Sequence, residues 1–109
     1  MGASKTNLFT KEQNRLATIA KALGHPARIA ILQILLETNT CIVGSLVEEL
    51  GLAQATISQH LKELKQAGII QGTITGTSVC YCINPSTWKE TREVFLQLFD
   101  RELPDASYC

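Results

Sequence analysis

The centre of this chain contains two short helical patterns joined by a tight turn at Gly51. The first pattern predicts a helix over Val43–Leu50 and the second a helix over Gln54–Ala67. The apolar residues of the second helix fall on one face at helical spacing: Ile57, Leu61 and Leu64. Gly51 and Gly68 suit the ends of the two helices, because glycine readily adopts the left-handed conformation found there. Two helices joined in this way predict a helix-turn-helix unit.

The opposite face of the 54–67 helix is short, polar and almost uncharged. Its amide, hydroxyl and methyl groups suit base edges, since Gln pairs with adenine, Ser and Thr with either partner, and a methyl packs on thymine. The candidates for reading bases are Gln54, Ala55, Thr56, Ser58 and Gln59. The candidates for phosphate contacts are Lys62, Lys65 and Arg28. The alternative is an ordinary solvated face, which is expected to carry more Glu and Lys.

Further helices precede this unit, and a hairpin follows it. Thr10 and Gln13 have capping-box spacing, which predicts a helix from about Thr10 to Leu23. Pro26 suits a first helical position, so another helix is expected to start there and to end at Thr38-Asn39. Its buried stripe is predicted at Ile29, Leu32, Leu35 and Leu36, with Ile31 and Ile34 as a second apolar edge. The remaining elements are an extended piece over 40–42, strands over 69–75 and 77–83, and a last helix over about Pro85–Glu102.

These elements predict a mainly α (α+β) chain in the order ααααββα, in which the hairpin forms a wing beside the helix-turn-helix. At 109 residues the chain fits one domain, predicted over 10–103, with a flexible segment over 1–9 and a flexible tail over 104–109. No apolar run approaches the roughly 18 residues that a membrane span needs, and no signal-peptide core is evident. A cytoplasmic location without membrane attachment is therefore expected.

Charge is segregated along the chain, although ten basic and ten acidic side chains cancel. Residues 1–40 carry five basic and two acidic side chains, whereas residues 84–109 carry three and five. This distribution permits a basic face, and the small excess predicts modest, salt-sensitive affinity for a polyanion. A dimer would double the number of contacts.

Three stretches together resemble the ArsR/SmtB family of winged-helix repressors, a likeness that spans about residues 19–84. Leu23–Leu32 is similar to the family's L-x-x-P-x-R-x-x-I-L helix, and Val43–Leu46 to its V-G-E-L start. Leu52–Leu64 is similar to L-S-Q-S-T-V-S-x-H-L-x-x-L, and the resemblance continues into Ala67–Ile70. The combination is far more specific than any one piece.

The resemblance implies a homodimer joined through the first and last helices, with residues 54–66 entering the DNA major groove. Large apolar residues on the last helix agree with such an interface: Trp88, Val94, Phe95, Leu98 and Phe99. Ala53 departs from the family's usual serine, which removes an N-cap worth roughly 1 kcal/mol. The wing tip over 75–78 lacks the Arg or Lys that the family often carries, which weakens the expectation of a minor-groove contact.

The chain has four cysteines: Cys41, Cys80, Cys82 and Cys109. Without a signal peptide, free thiols, metal ligation or redox chemistry are expected rather than disulfides. The family's two standard metal sites are absent, because Ile42 and Gly44 cannot ligate a metal and the last helix has no histidine. Cys80 and Cys82 share one strand face, and the fold that the resemblance implies brings Cys41 beside them. Three thiolates suit As(III) or another thiophilic metal ion, and they also permit redox sensing; the alternative is that these cysteines are buried apolar side chains.

The sequence thus predicts a repressor that binds double-stranded operator DNA and is released by a thiophilic metal ion, a metalloid or an oxidant. No resident cofactor is predicted. An enzyme is not expected, because no Ser/His/Asp set, paired-carboxylate site or glycine-rich phosphate loop is present. His60 is expected to be packed and hydrogen-bonded inside the protein. His25 is expected to cap a helix. The competing interpretation is a dimeric protein-interaction module on the same scaffold that does not bind DNA, which the neutral charge and uncharged wing support.

Overall fold

The computed structural model describes residues 8–37, 50–75 and 78–105. Within these residues the elements are α1 (Lys11–Leu23), α2 (Pro26–Glu37), α3 (Gln54–Gln66), β1 (Ile70–Thr75), β2 (Ser78–Ile83) and α4 (Pro85–Phe99). This order of helices, hairpin and last helix confirms the predicted mainly α architecture. The predicted helix over 43–50 lies outside the described residues except for Leu50, as do the extended piece over 40–42 and Thr38-Asn39.

Local capping chemistry sets the starts of α1 and α2, as the sequence predicts. The Thr10 hydroxyl accepts from the Gln13 backbone N–H at 3.0 Å, and the Thr10 N–H donates to Gln13 Oε1 at 2.9 Å. This reciprocal pair is a capping box. His25 Nδ1 accepts from the Ala27 N–H at 3.0 Å, which confirms His25 as the cap of the helix that begins at Pro26. Within the described residues no single helix is long and apolar enough to cross a membrane, and α1 with α2 meets that standard only as a pair bent by 93°.

The hydrophobic core lies where α1, α2, α3 and the hairpin meet. Its most enclosed side chains are Ile19, Ile31, Leu64, Ile69 and Ile70. The stripe predicted for α2 is partly wrong, because Ile29 and Leu36 are 40% and 49% exposed, whereas Leu32 and Leu35 are buried together with Ile31. Since α2 is apolar almost all round, periodicity alone could not identify its inner face. Its packing against α1, α3 and β2 buries Ile31 together with the correctly predicted Leu32 and Leu35.

The hairpin is antiparallel, with Ile70 opposite Ile83 and Thr75 opposite Ser78. It is joined to the helical layer because the Asn84 N–H donates to the Ile69 carbonyl at 2.9 Å. β1 begins one residue later than predicted, at Ile70 rather than Ile69. β2 is described from Ser78 to Ile83, and the predicted start at Thr77 lies outside the described residues.

Asn84 caps the N-terminus of α4, and its side-chain oxygen accepts from the Ser86 and Thr87 backbone N–H groups at 3.1 and 3.4 Å. The helix ends at Phe99, three residues before the predicted end at Glu102. The Asp100 N–H closes the last turn on the Leu96 carbonyl at 2.8 Å. Beyond it every described residue is exposed, so extending the helix would order residues without burying apolar surface to offset the lost entropy.

Candidate nucleic-acid interface

One face of α3 is packed into the core. Ile57, Leu61 and Leu64 are buried, as predicted, and the helix packs against α1, α2 and β1. Burying three large aliphatic side chains on one helix stabilises its orientation by several kcal/mol, at roughly 1.5–3 kcal/mol for each. The core therefore determines which face of α3 points outward.

The outward face of α3 carries the predicted DNA-contacting side chains. All of those on this helix are exposed: Gln54, Ala55, Thr56, Ser58, Gln59, Lys62 and Lys65. Gln59 Nε2 donates to Glu63 Oε1 at 3.2 Å, one helical turn along. A base contact by Gln59 would therefore have to replace this exposed hydrogen bond, which costs little because water competes for the same groups.

The two ends of α3 are capped differently. Ala53 occupies the N-cap and makes no side-chain hydrogen bond, which confirms the missing cap predicted from the sequence. At the other end, Gly68 has φ +80°, its N–H donates to the Lys65 carbonyl at 2.9 Å, and the Ile69 N–H donates to the Leu64 carbonyl at 3.1 Å. These two bonds form a Schellman motif, which needs a residue that tolerates positive φ.

Arg28 lies on the inner side of α3 rather than beside its outward face. Its Nε donates to His60 Nδ1 at 3.1 Å and its Nη1 to the Ala22 carbonyl at 3.2 Å. His60 is buried, which confirms a packed, hydrogen-bonded histidine. The role of Arg28 as a phosphate contact stays a prediction, and these two bonds already engage two of its three nitrogens.

The contacts of His60 favour its neutral form. Because Nδ1 accepts from Arg28, the ring proton lies on Nε2, and a second proton would place two cations side by side. The His25 ring lies 4.4 Å from the His60 ring, centroid to centroid. Burial, with the neighbouring charges of His25 and Arg28, lowers the pKa of His60 below its ordinary 6.5.

Cys80 and Cys82 are free, half-buried thiols on β2, opposite Thr73 and Gln71 in the hairpin register. Tyr81 and Ile83, which alternate with them, pack against the core, so the cysteines occupy the other face of the strand. Gln71 Nε2 lies 3.8 Å from Cys82 Sγ and donates a weak hydrogen bond to it.

The other two cysteines of the predicted thiol chemistry, Cys41 and Cys109, lie outside the described residues. Within 8–37, 50–75 and 78–105 no three His, Cys, Asp or Glu side chains are grouped to hold a metal ion. The site formed by Cys41, Cys80 and Cys82 thus stays a prediction.

Known proteins are similar to this chain in sequence and in the arrangement of helices and strands. The model of bacterial regulatory proteins of the arsR family matches residues 25–71. An uncharacterised HTH-type transcriptional regulator of Methanocaldococcus jannaschii is 39% identical over 80 residues, which are 73% of this chain and 90% of that protein. This chain belongs to the ArsR family.

Two further similarities cover a smaller and a larger share of this chain. The HTH-type transcriptional repressor SmtB of Mycobacterium tuberculosis is 44% identical over 63 residues, or 58% of this chain and 46% of that protein. The structure of HlyU from Vibrio cholerae matches with a TM-score of 0.67 at 28% identity, covering 85% of this chain and 100% of that one. The family consists of transcriptional regulators and not of enzymes, as the sequence predicts.

In this ArsR-family chain, α1 and α4 pack side by side and leave apolar surface exposed. A groove of about 480 Å³ lies between them and is lined in part by Leu16, Val94 and Leu98. Large exposed apolar side chains continue along the same two helices and beside them: Leu8, Phe9, Leu96, Leu98 and Phe99. Apolar surface on this scale is typical of interaction sites.

Sequence reasoning missed one residue that the fold places at the base of α3. Arg15 of α1 donates from Nε to Glu90 Oε1 at 3.1 Å and from Nη1 to the Ala67 carbonyl at 3.2 Å. Its partners lie 75 and 52 residues away along the chain. No local pattern signals such a contact, because an arginine on a helix surface is ordinary in itself.

Proposed function

We propose that this ArsR-family chain is a repressor that binds a double-stranded operator sequence-specifically, as a homodimer of single domains over residues 10–103. The observation that carries the proposal is the two-sided character of α3. Its inner face is held in the core by Ile57, Leu61 and Leu64, while every base-reading candidate on it is exposed. A helix fixed on one side and presenting short amide, hydroxyl and methyl groups on the other suits the major groove.

Specificity and affinity are assigned to different side chains of α3. Gln54, Ala55, Thr56, Ser58 and Gln59 would contact base edges, and Gln59 is suited to a bidentate contact with adenine. Lys62 and Lys65, with Arg28 from α2, would contact phosphates, which set register and salt dependence without reading sequence.

The dimer is assigned to α1 and α4. Their exposed apolar residues include Phe99, which is 73% exposed in the single chain, and pairing two copies would bury this surface. Two copies of α3 would then read two half-sites about 34 Å apart, or a multiple of that spacing. The doubled phosphate contacts offset the zero net charge of each chain.

Release from DNA is assigned to the thiols. Cys80 and Cys82 lie on the strand face turned away from the core, and Cys41 would complete a set of three soft ligands. Such a set suits As(III) or another thiophilic metal ion, and the same thiols suit an oxidant or a persulfide.

The experiment for DNA binding begins with selection of duplexes from a pool of genomic fragments at low salt. On a selected operator, Gln59→Ala is expected to weaken binding about tenfold or more while leaving binding to random DNA unchanged. Lys65→Ala is expected to weaken both and to reduce the slope of log affinity against log salt by about 1 for each protomer. Gln66→Ala, an exposed change on the same helix, is the matched control.

Two outcomes would contradict this assignment. Equal losses on operator and random DNA for Gln59→Ala would remove it from the base-reading set. If no DNA is recovered at low salt, the protein-interaction module becomes the better interpretation, because that scaffold needs no polyanion.

The inducer is tested by titrating the reduced protein–operator complex with arsenite, Zn(II) and a persulfide donor, and following DNA anisotropy. Release by one agent that is lost in Cys80→Ser/Cys82→Ser and kept in Cys109→Ser supports the thiol site. Tight binding that none of the three agents reverses would mean that these cysteines are packing residues.

A further inference from the structure

The Arg15 side chain joins the C-terminal end of α3 to the α1–α4 pair. Arg15 of α1 reaches Glu90 of α4 with Nε and the Ala67 carbonyl of the α3 C-cap with Nη1. The Arg15 and Glu90 side chains are 33% and 49% exposed, so the ion pair alone adds little stability in water. What these Arg15 contacts contribute is therefore the relative orientation of the three helices rather than stability.

The Schellman motif does not use the Ala67 carbonyl. The motif uses the carbonyls of Leu64 and Lys65 for the N–H groups of Ile69 and Gly68. Arg15 supplies the donor for the carbonyl at the cap itself. A cation at this position also meets the negative end of the helix dipole, which strengthens the bond.

The guanidinium also fits closely against the turn that ends α3. A Cβ atom placed on Gly68 would lie 3.8 Å from Arg15 Nη2 and 3.7 Å from Thr87 Oγ1 of α4. The planar guanidinium makes its two bonds in a fixed relative direction, so it relates α1, α4 and the end of α3 rigidly.

We propose that Arg15 is a positioning residue that sets the angle of α3 relative to the α1–α4 pair and thereby the fit of two recognition helices to an operator. This inference rests on the proposed function, in which α1 and α4 form the dimer and α3 reads DNA. In such a dimer a small tilt of α3 at its anchored end displaces its outward residues and changes the spacing of the two half-sites. Operator binding requires a fixed register, so substitution of Arg15 is expected to weaken it more than it weakens binding to random DNA.

The test compares Arg15→Gln with Lys11→Gln, which removes one positive charge from the same helix at an exposed position. Arg15→Gln is expected to weaken operator binding about fivefold more than random-DNA binding, in keeping with the loss of the two Arg15 hydrogen bonds in a partly exposed site. Lys11→Gln is expected to change both affinities equally. The dimer dissociation constant is expected to stay the same in both variants.

A conservative variant and a spectroscopic measurement separate positioning from simple stabilisation. Arg15→Lys keeps the charge but cannot hold Glu90 and Ala67 together, so partial recovery of the operator preference is expected. The Gly68 amide resonance is expected to shift in Arg15→Gln and to stay in place in Lys11→Gln, because Arg15 packs beside that residue.

The outcomes distinguish this inference from the proposed function. If Arg15→Gln lowers the melting temperature but leaves the operator-to-random ratio at the level of Lys11→Gln, Arg15 is structural only and the inference is overturned. If the wild-type protein itself shows no preference for a selected operator, the proposed function fails instead.

Discussion

The two ends of α3 differ in how completely the chain satisfies them. The N-terminal end begins at Ala53 without a side-chain cap, follows a turn at Gly51 with φ +68°, and exposes Gln54, Ala55 and Thr56. The C-terminal end is closed by a Schellman motif and held by Arg15. We call the N-terminal end, which has no side-chain cap, the bare end, and the C-terminal end, which is held by these hydrogen bonds, the anchored end.

This difference indicates where stability and function are placed on the helix. The anchored end relies on buried apolar surface and on hydrogen bonds made within the protein. The bare end leaves backbone N–H groups without a side-chain partner, and such groups are available to water or to an anion. A helix that must meet another molecule at one end can be less stable there, provided that the rest of it is held firmly.

The largest expected effect is at the anchored end. Leu64→Ala removes a side chain with no exposed surface and is expected to lower the free energy of unfolding by about 2–5 kcal/mol. Chemical denaturation followed by circular dichroism measures it, with Gln66→Ala as the control. A loss below that of ordinary surface substitutions would mean that the anchored end does not depend on its core contact.

The turn that ends α3 is expected to show the next largest effect. Gly68→Ala places a side chain at φ +80° and is expected to cost about 1–2 kcal/mol, because only glycine adopts this conformation without strain. Gly24→Ala, at φ −78°, is the matched control and should stay within about 0.5 kcal/mol. Equal costs at the two glycines would contradict the strain argument.

At the bare end a gain is expected. Ala53→Ser supplies a hydroxyl to accept from the first-turn N–H groups and should raise the free energy of unfolding by about 1 kcal/mol. Ala53→Val, which adds bulk but no acceptor, should bring no such gain. If serine has no effect, the N-terminus of α3 is already satisfied and the contrast between the two ends is weaker than proposed.

The smallest expected effect concerns pH and the middle of α3. Since the pKa of His60 is lowered in the folded protein, the unfolded chain takes up this proton first as the pH falls. The contribution of neutral His60 to stability is therefore complete above about pH 6.5 and declines below it. In thermal melts at pH 7.5 and 5.5, His60→Gln should flatten this decline.

His25→Asn serves as the control for the pH experiment, because asparagine can still cap α2. It should retain most of the decline. A wild-type melting temperature that does not change between the two pH values would show that His60 does not contribute through its protonation.

Much of the fold and of the candidate interface could be predicted from local patterns. Three such patterns are Thr10 with Gln13, Pro26 at a first helical position, and the helical spacing of Ile57, Leu61 and Leu64. Each depends on residues only a few positions apart, so each can be recognised in the sequence alone. The exposed face of α3 followed from the same spacing. The prediction was partly wrong for α2, because apolar residues lie on almost every side of this helix and the pattern did not identify its inner face.

Local sequence patterns are enough to predict where the helices begin, which face of α3 is apolar and which side chains remain for a partner, because capping and periodicity are interactions between near neighbours. The contact of Arg28 with His60, 32 residues away, and the contacts by which Arg15 joins α1 to both α3 and α4 depend on the folded arrangement of the helices. Long polar side chains have many alternative partners in an unfolded chain. Their choice is made by burial and by the direction of neighbouring helices, which exist only once the core has formed.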